Sequence, residues 1–227
     1  MLIHCLFEQS GTFKNQFKSL GYEAYDYDIL NDYGETDCII DLFAEIRGGY
    51  EGLPSIFDRI TPDDLILAFF PCTRFENQIL LHFRGETYQQ KNWTDENKLE
   101  YDLKLHNELS ENYEVITKLA ILVIRKNLRM VFENPYSEQH YLTRYWCLKP
   151  SIIDKDRTKN GDWYKKPTQY YFVGLTPKNN LVFEALDYVC VKKQKEIGWK
   201  TSNRNRARER SEIHPQYANR FIRQYLI

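Results

Sequence analysis

Cys72 follows an apolar run, residues 65–70, and a single proline, Pro71. A thiol in this position is either a buried structural group or a nucleophile that a rigid turn presents to a substrate. The thiolate is the reactive form of cysteine, and because a free thiol has a pKa of about 8.5, it needs a helix start or a cation for activation. Arg74 lies nearby in the sequence. The spacing makes Cys72 a candidate nucleophile and Arg74 a candidate activating group.

A second apolar run, residues 128–132, leads into Glu133 and Asn134 and stops at Pro135. A glutamate in a closed pocket can stay protonated and donate a hydrogen bond to a ring nitrogen. In a surface loop the same residue would only be solvated. Two such strands, one ending in a thiol and the other in a carboxyl group, favour a reactive site over two unrelated loops.

Three further positions are typical of a nucleotide-type cofactor site. Gly11 lies in a loop between a predicted strand and a predicted helix, where glycine lets the backbone approach a ligand and the helix start offers free N–H groups. Asp28 and Asp41 end the next two strands, where carboxylates can bind ribose hydroxyls and an adenine amino group. The alternatives are a plain turn at Gly11, a cap or turn residue at Asp28, and a cap of the helix from Leu42 at Asp41.

The elements that must position these residues alternate along the chain. Strands are predicted at residues 2–7, 23–28, 37–42, 64–70, 128–132, 149–154, 169–174 and 181–191, and helices at residues 13–20, 53–60, 93–126 (one or two helices) and 215–226. This order predicts an α/β fold with a Rossmann-like, mostly parallel sheet and helices on both faces. Ligands bind such sheets beyond the carboxyl ends of the strands, so Cys72, Asp28, Asp41 and the loop at residues 9–12 are expected at one edge.

Bulk properties limit the class of protein. The 227 residues are expected to form a single domain, with residues 155–210 as a small loop-rich or basic region within it. The five cysteines are scattered and form no C-x-x-C pair, which argues against disulfides and zinc and favours a reducing cytoplasm. The first residues do not resemble a signal peptide, and no run approaches the ~20 apolar residues of a membrane span.

Nucleic-acid binding would need a local basic patch, because the net charge is only -1. The segment 192–210 is strongly basic, and within it Lys192, Arg204, Arg206 and Arg208 can neutralise phosphates. A solvated loop is the alternative interpretation of the same charge run.

Taken in order, the motifs resemble those of the DNA cytosine carbon-5 methyltransferases, and in particular a small phage-type member without a large target-recognition domain. The matching stretches are Leu6-Phe7-x-x-x-Gly11-x-Phe13, DLILAFFPCTRF at residues 64–75, Glu133-Asn134, GDWYKKPTQYY at residues 161–171, and Arg210-Ser211-Glu212-Ile213-His214-Pro215 with Ala218. The resemblance spans nearly the whole chain. It implies the class I S-adenosylmethionine-dependent methyltransferase fold and S-adenosylmethionine as the cofactor.

The resemblance also implies roles for individual residues. The residues expected to hold the cofactor are Phe7, Ser10, Gly11, Thr12, Asp28, Asp41 and Phe70. Cys72, on the turn made by Pro71, would attack carbon 6 of a flipped-out cytosine, and Glu133 would hold ring nitrogen 3 and the exocyclic amine. Asn134 would fix the loop.

Lysines are expected to assist at the base or the DNA backbone. The resemblance implies that Lys166 or Arg74 supports the target base or a phosphate. Lys165 and Lys166 stand in for the Q-R-x-R motif of longer members, and Lys165 is counted with the nucleic-acid-binding residues.

The chain departs from the family pattern at four positions. Gln9 and Phe69 occupy glycine positions, and Thr73 and Glu76 occupy positions that usually hold glutamine and serine. Two alternatives to a DNA methyltransferase therefore stay open: methylation of RNA or a nucleotide, and an inactive methyltransferase-like protein that binds DNA. Sequence selectivity is expected to be relaxed, to come from residues 83–93, or to require a partner protein.

Overall fold

The computed structural model describes residues 1–76, 79–186 and 212–227. Within these ranges seven strands form one sheet in the order β3-β2-β1-β4-β5-β7-β6. The strands are β1 Leu2–Leu6, β2 Glu23–Asp28, β3 Cys38–Ile39, β4 Leu65–Ala68, β5 Met130–Pro135, β6 Ile152–Asp154 and β7 Thr168–Val173. Strands β1 to β5 pair in parallel, and β7 runs antiparallel to both of its neighbours, β5 and β6.

Helices cover both faces of this sheet. They are α1 Thr12–Ser19, α2 Leu42–Glu51, α3 Ile79–Phe83, α4 Asp95–Arg125, α5 Tyr141–Tyr145 and α6 Pro215–Phe221, which continues as a π-helical turn, Ile222–Leu226. Side chains alternate along β4, so that Ile66 packs in the core with α2 and α4, whereas Leu65 and Leu67 pack in the core with α1 and α6. The predicted α/β Rossmann-like, mostly parallel sheet with helices on both faces is confirmed.

Several predicted boundaries differ from the structure. Residues 93–126 contain one long helix, α4, whose start is capped by Thr94 Oγ1 accepting a hydrogen bond from Asn97 N at 3.2 Å. The helix predicted at residues 53–60 is only a 3₁₀ turn, Ile56–Asp58, and the helix of this connection, α2, lies earlier and ends where Gly52 takes a left-handed backbone. The strand predicted at residues 37–42 is reduced to Cys38–Ile39.

The strand predicted at residues 181–191 is wrong for its described part, residues 181–186, which has no regular structure. The backbone just before it is bound to the carboxyl-terminal turn, since Lys178 N donates to Tyr225 O and Asn180 N donates to Gln224 O. Residues 187–191 and the basic segment 192–210 lie outside the described residues.

Strand β7 belongs to the region 155–210, yet it lies inside the main sheet between β5 and β6. Its register pairs Tyr170 with Glu133 and Gln169 with Asn134. The carboxyl end of β5, which carries Glu133 and Asn134, is therefore held by β7 along one side. None of the helices in the described ranges is long and apolar enough to cross a bilayer.

Candidate functional site

A cleft of about 370 Å³ opens where the strand order reverses, between β1 and β4. In open α/β sheets this point, beyond the carboxyl ends of the strands, is where ligands bind. Of the residues predicted from the sequence, the cleft is lined by Phe7, Ser10, Asp28, Phe70, Pro71, Cys72, Glu133 and Lys166. The structure thus brings together the candidate thiol, the candidate carboxyl group and a lysine.

The Cys72 side chain is half-buried and lies on a tight turn. Its carbonyl oxygen accepts hydrogen bonds from Phe75 N at 2.8 Å and Glu76 N at 3.2 Å, and its Sγ donates to Glu76 Oε1 at 3.0 Å. Burial and the negative charge of Glu76 raise the pKa of the Cys72 thiol to about 12, although the positive charge of Lys166 opposes them. In the free protein the group is therefore a thiol at neutral pH.

Glu133 presents a buried carboxyl group to the same cleft. Burial raises its pKa, and the positive charges of Lys166 and Arg157 act in the opposite direction. Its Oε1 atom has no hydrogen-bond partner within the described parts of the chain. Because buried polar atoms in proteins are nearly always paired, an oxygen left in this state is suited to a polar ligand in the cleft.

Asn134 ties the two strand ends together. Its Nδ2 donates a hydrogen bond to Phe70 O at 2.9 Å, which joins the end of β5 to the residue just before Pro71. Asn134 is fully buried, and this bond fixes the turn that carries Cys72 relative to Glu133.

A second cleft, of about 420 Å³, adjoins the first and shares Phe7, Gln9, Asp28 and Pro71 with it. Asp28 is buried, and its Oδ1 accepts a hydrogen bond from Leu30 N at 2.8 Å. Burial raises the pKa of this carboxyl group.

Apolar surface lies beside the Asp28 carboxyl group in this second cleft. Ile29 and Leu30 line it and are 59% and 50% exposed, so a planar apolar ring could cover them. Asp41 also lines it, and its Oδ1 caps α2 by accepting from Phe43 N at 3.0 Å and Ala44 N at 3.2 Å. The capping alternative for Asp41 is thus confirmed, and the residue still faces the cleft.

The loop after β1 is built to hold a fixed shape. Phe7 has a left-handed backbone, with φ of 60°, which is uncommon for a bulky residue and is often associated with functional sites. Gly11 has φ of 63°, and an added Cβ would lie 3.1 Å from Asn15 Nδ2. Ser10 Oγ and Thr12 Oγ1 are hydrogen-bonded at 3.0 Å. Ser10 lines the first cleft, whereas Gly11 and Thr12 line neither cleft.

Glu8 was missed by sequence reasoning. It is buried, lines the first cleft, and accepts hydrogen bonds from Phe13 N at 2.7 Å and Lys14 N at 3.2 Å, which are free N–H groups of the first turn of α1. Burial raises the pKa of Glu8 to about 7. A carboxylate shortly before a predicted helix was the available signal, since acidic side chains favour helix starts.

Four side chains complete the wall of the first cleft or stabilise it. Glu212 and Ile213 line the cleft, and the N–H of the next residue, His214, donates to Asp162 Oδ1 at 3.0 Å. Asp162 is buried and forms an ion pair with the buried Arg157. The GDWYKKPT segment and the start of α6 therefore meet beside the cleft.

Two further predicted residues, Arg74 and Lys165, lie outside both clefts. Arg74 does not line either cleft, because its guanidinium is ion-paired with Glu108 on α4. Lys165 is exposed and lines neither cleft. The other predicted nucleic-acid contacts, Lys192, Arg204, Arg206 and Arg208, lie outside the described residues.

The sheet, with its cleft at the point between β1 and β4 where the strand order reverses, defines an α/β Rossmann-like protein. A comparison with protein-family models gives no match, and a comparison with curated proteins gives none either. Within residues 1–76, 79–186 and 212–227, no group of three or more His, Cys, Asp and Glu side chains is arranged to hold a metal ion.

Proposed function

We propose that the protein is an S-adenosylmethionine-dependent methyltransferase that modifies carbon 5 of cytosine in DNA. The observation that carries this proposal is the convergence of Cys72, Glu133 and Lys166 in one cleft. These residues come from three separate loops or strands, and the resemblance assigns each of them a role in the same reaction. The antiparallel β7 between β5 and β6 also agrees with the class I methyltransferase fold that the resemblance implies.

The second cleft fits the cofactor. S-adenosylmethionine carries an adenine, a ribose with two hydroxyls and a positively charged sulfonium. Asp28 offers a carboxylate for the hydroxyls, Asp41 an acceptor for the adenine amine, and Ile29 an apolar surface for the ring. Asp28 and Phe7 belong to both clefts, so a molecule bound here would reach toward Cys72. When bound, the cofactor supplies an electrophilic methyl group.

The chain's own residues provide the rest of the chemistry. Cytosine carbon 5 is a poor nucleophile, and bonding of the Cys72 sulfur to carbon 6 makes carbon 5 electron-rich. The raised pKa of Glu133 keeps its carboxyl group protonated to higher pH, so that it can donate to ring nitrogen 3 as negative charge develops there. Lys166 adds a positive charge beside both groups. Asn134 holds the Cys72 turn in place.

A cytosine within a duplex cannot enter a cleft at a sheet edge. It must be flipped out of the stack, which costs a few kcal/mol. Exposed Lys165, beside Lys166, is proposed to contact the DNA backbone, as is the basic segment 192–210. The DNA assignment rests on these charges together with the resemblance.

The test is transfer of label from a radiolabelled cofactor to DNA, RNA and free cytidine nucleotides under one set of conditions. Wild type should label DNA at carbon 5 of cytosine, and Cys72→Ser should not. Equal labelling by wild type and Cys72→Ser would contradict the proposal. Stronger labelling of RNA or of nucleotides than of DNA would show that DNA is not the substrate of the methyltransferase. Calorimetry with the cofactor alone separates an enzyme from an inactive DNA-binding protein, because only the enzyme is expected to bind it stoichiometrically.

A further inference from the structure

Glu76 holds a carboxylate directly against the sulfur of Cys72. The thiol donates to Glu76 Oε1 at 3.0 Å, while Glu76 N donates to Cys72 O at 3.2 Å. The same turn therefore fixes both partners, and the distance is one at which a proton can be transferred along an existing hydrogen bond.

We propose that Glu76 is the general base that removes the proton from Cys72 as the sulfur attacks carbon 6 of the pyrimidine. This inference rests on the proposed function and adds a catalytic residue to it. The carboxylate stands where the resembling family usually has serine, so the family pattern does not itself supply this role.

The charges around Cys72 make such a base necessary. Glu76 and Glu133 place negative charge near the thiol, and Lys166 places positive charge there. Together with burial these groups raise the pKa of Cys72 to about 12, so a preformed thiolate is scarce at neutral pH. A catalyst with this environment needs an acceptor for the proton during attack, and Glu76 already accepts it as a hydrogen bond.

The neighbouring groups are less suited to this task. Glu133 is assigned to the ring nitrogen and is itself favoured in its protonated form. Lys166 is a cation, and Arg74 is held by Glu108. Among the described residues, Glu76 is the one that the Cys72 thiol contacts as a hydrogen-bond acceptor.

The proton and electron pairs balance over the cycle. The S–H bond breaks, the proton moves to Glu76, and the sulfur pair forms the bond to carbon 6 while the carbon 5–carbon 6 π pair shifts toward carbon 5. That pair bonds to the methyl group, and the pair of the donor's S–CH₃ bond stays on the donor sulfur. The hydrogen on carbon 5 then leaves to water as a proton, its pair restores the double bond, and Cys72 departs and takes its proton back from Glu76.

The experiment compares wild type with Glu76→Gln, which keeps the shape and the acceptor oxygen but loses basicity. Glu100→Gln, at an exposed glutamate on α4, is the matched control. Two rates are measured for each protein: single-turnover methyl transfer to DNA, and alkylation of Cys72 by iodoacetamide in the free protein, located by peptide mass spectrometry.

We expect opposite changes in the two rates. Transfer by Glu76→Gln should fall about 100-fold, the scale of general-base catalysis. Alkylation near neutral pH should rise roughly tenfold, because removing a nearby negative charge lowers the pKa of the thiol. The remaining transfer by Glu76→Gln should increase steadily with pH, since only preformed thiolate then reacts. Glu76→Asp, which keeps a base, should transfer faster than Glu76→Gln.

Other outcomes would overturn the inference. Transfer that is unchanged or faster in Glu76→Gln would mean that Glu76 only suppresses the thiolate. A parallel loss of transfer and alkylation would mean that Glu76 merely positions the turn. If wild type itself transfers no methyl group to any acceptor, the proposed function fails and the base role fails with it. The alkylation rates would still show whether Glu76 controls the thiol.

Discussion

At the scale of single residues, the site depends on carboxyl groups whose ionisation is controlled by burial. Glu133 has a raised pKa and an unpaired Oε1 atom facing a cleft, and Asp28 has a raised pKa beside exposed apolar side chains. Both groups sit at the carboxyl ends of parallel strands. A ligand that forms a hydrogen bond to either carboxyl group would offset part of the free-energy cost of burying it.

Glu133→Gln is expected to slow methyl transfer by about 100-fold or more, because glutamine keeps the shape but has no acidic proton to share with ring nitrogen 3. The fold should be kept, since Glu133 Oε1 has no hydrogen-bond partner among the described residues. Single-turnover transfer with matched circular dichroism spectra checks this. If Glu133→Gln transfers the methyl group at the wild-type rate, Glu133 takes no part in the reaction.

Asp28→Asn is expected to weaken binding of S-adenosylmethionine by about 10- to 100-fold, the range that corresponds to losing a charge-assisted hydrogen bond. Asparagine can still accept the hydrogen bond from Leu30 N, so the turn should persist. Isothermal calorimetry measures the dissociation constant, with exposed Asp32→Asn as the control. Equal affinities in the two variants would mean that the ribose contact lies elsewhere.

At the scale of elements, the loop between β1 and α1 is held by a buried side chain. The Glu8 carboxyl group accepts hydrogen bonds from the first turn of α1, and Gly11 supplies the left-handed turn before it. Lys14, in the same turn, is buried and paired with Asp26 on β2 and with Asp37. The loop that lines the cleft is thus fixed to the sheet by polar contacts as well as by packing.

Glu8→Gln is expected to make the free energy of unfolding less dependent on pH. Since burial raises the pKa of Glu8 from 4.5 to about 7, the folded state binds its proton more tightly than the unfolded state does. The contribution of this group to the free energy of unfolding is therefore present below pH 4.5 and lost as the pH rises to about 7, by about 3 kcal/mol.

Urea unfolding at several pH values measures the effect of Glu8→Gln as the difference in free energy of unfolding between variant and wild type. That difference should favour the variant increasingly from pH 4.5 to about pH 7. Glu100→Gln serves as the exposed control. A difference that is constant over this range would contradict the raised pKa of Glu8.

At the scale of the whole molecule, a buried ion pair joins the end of the chain to the sheet. Arg157 and Asp162 form the pair, and their side chains are 1% and 0% exposed. Asp162 also accepts from His214 N, and the Arg157 guanidinium lies 4.8 Å from the ring centroid of Tyr217 on α6. Residues 212–213, which line the cleft, are therefore held next to a buried charge pair whose arginine also acts on the Glu133 carboxyl group.

Asp162→Asn is expected to lower the free energy of unfolding by about 3–5 kcal/mol, because it leaves the Arg157 charge buried and unpaired. The double variant Arg157→Met/Asp162→Asn should be less destabilised than Asp162→Asn, since it removes both charges and keeps an acceptor for His214 N. Urea unfolding of the three proteins measures both values. A double variant less stable than the single one would show that the guanidinium stabilises the fold by contacts other than this pair.

The sequence by itself determined the alternation of strands and helices and the strand ends at or near which Cys72, Glu133 and Asp28 lie, whereas Asp41 caps α2 instead of ending a strand. These follow from local signals, namely hydrophobic periodicity, prolines that end strands and the tendency of parallel strands to end at one edge. The strand predicted at residues 181–191 is wrong for residues 181–186, because an apolar run alone does not supply a neighbouring strand.

Only the tertiary structure decided which partners the long side chains take. It turned Arg74 toward Glu108, set Glu76 against the Cys72 thiol, and placed Glu8 on the first turn of α1. It also inserted β7 between β5 and β6. Pairing and pKa depend on which groups packing brings within a few ångströms and on how much water it removes. Neither quantity is contained in the spacing of residues along the chain.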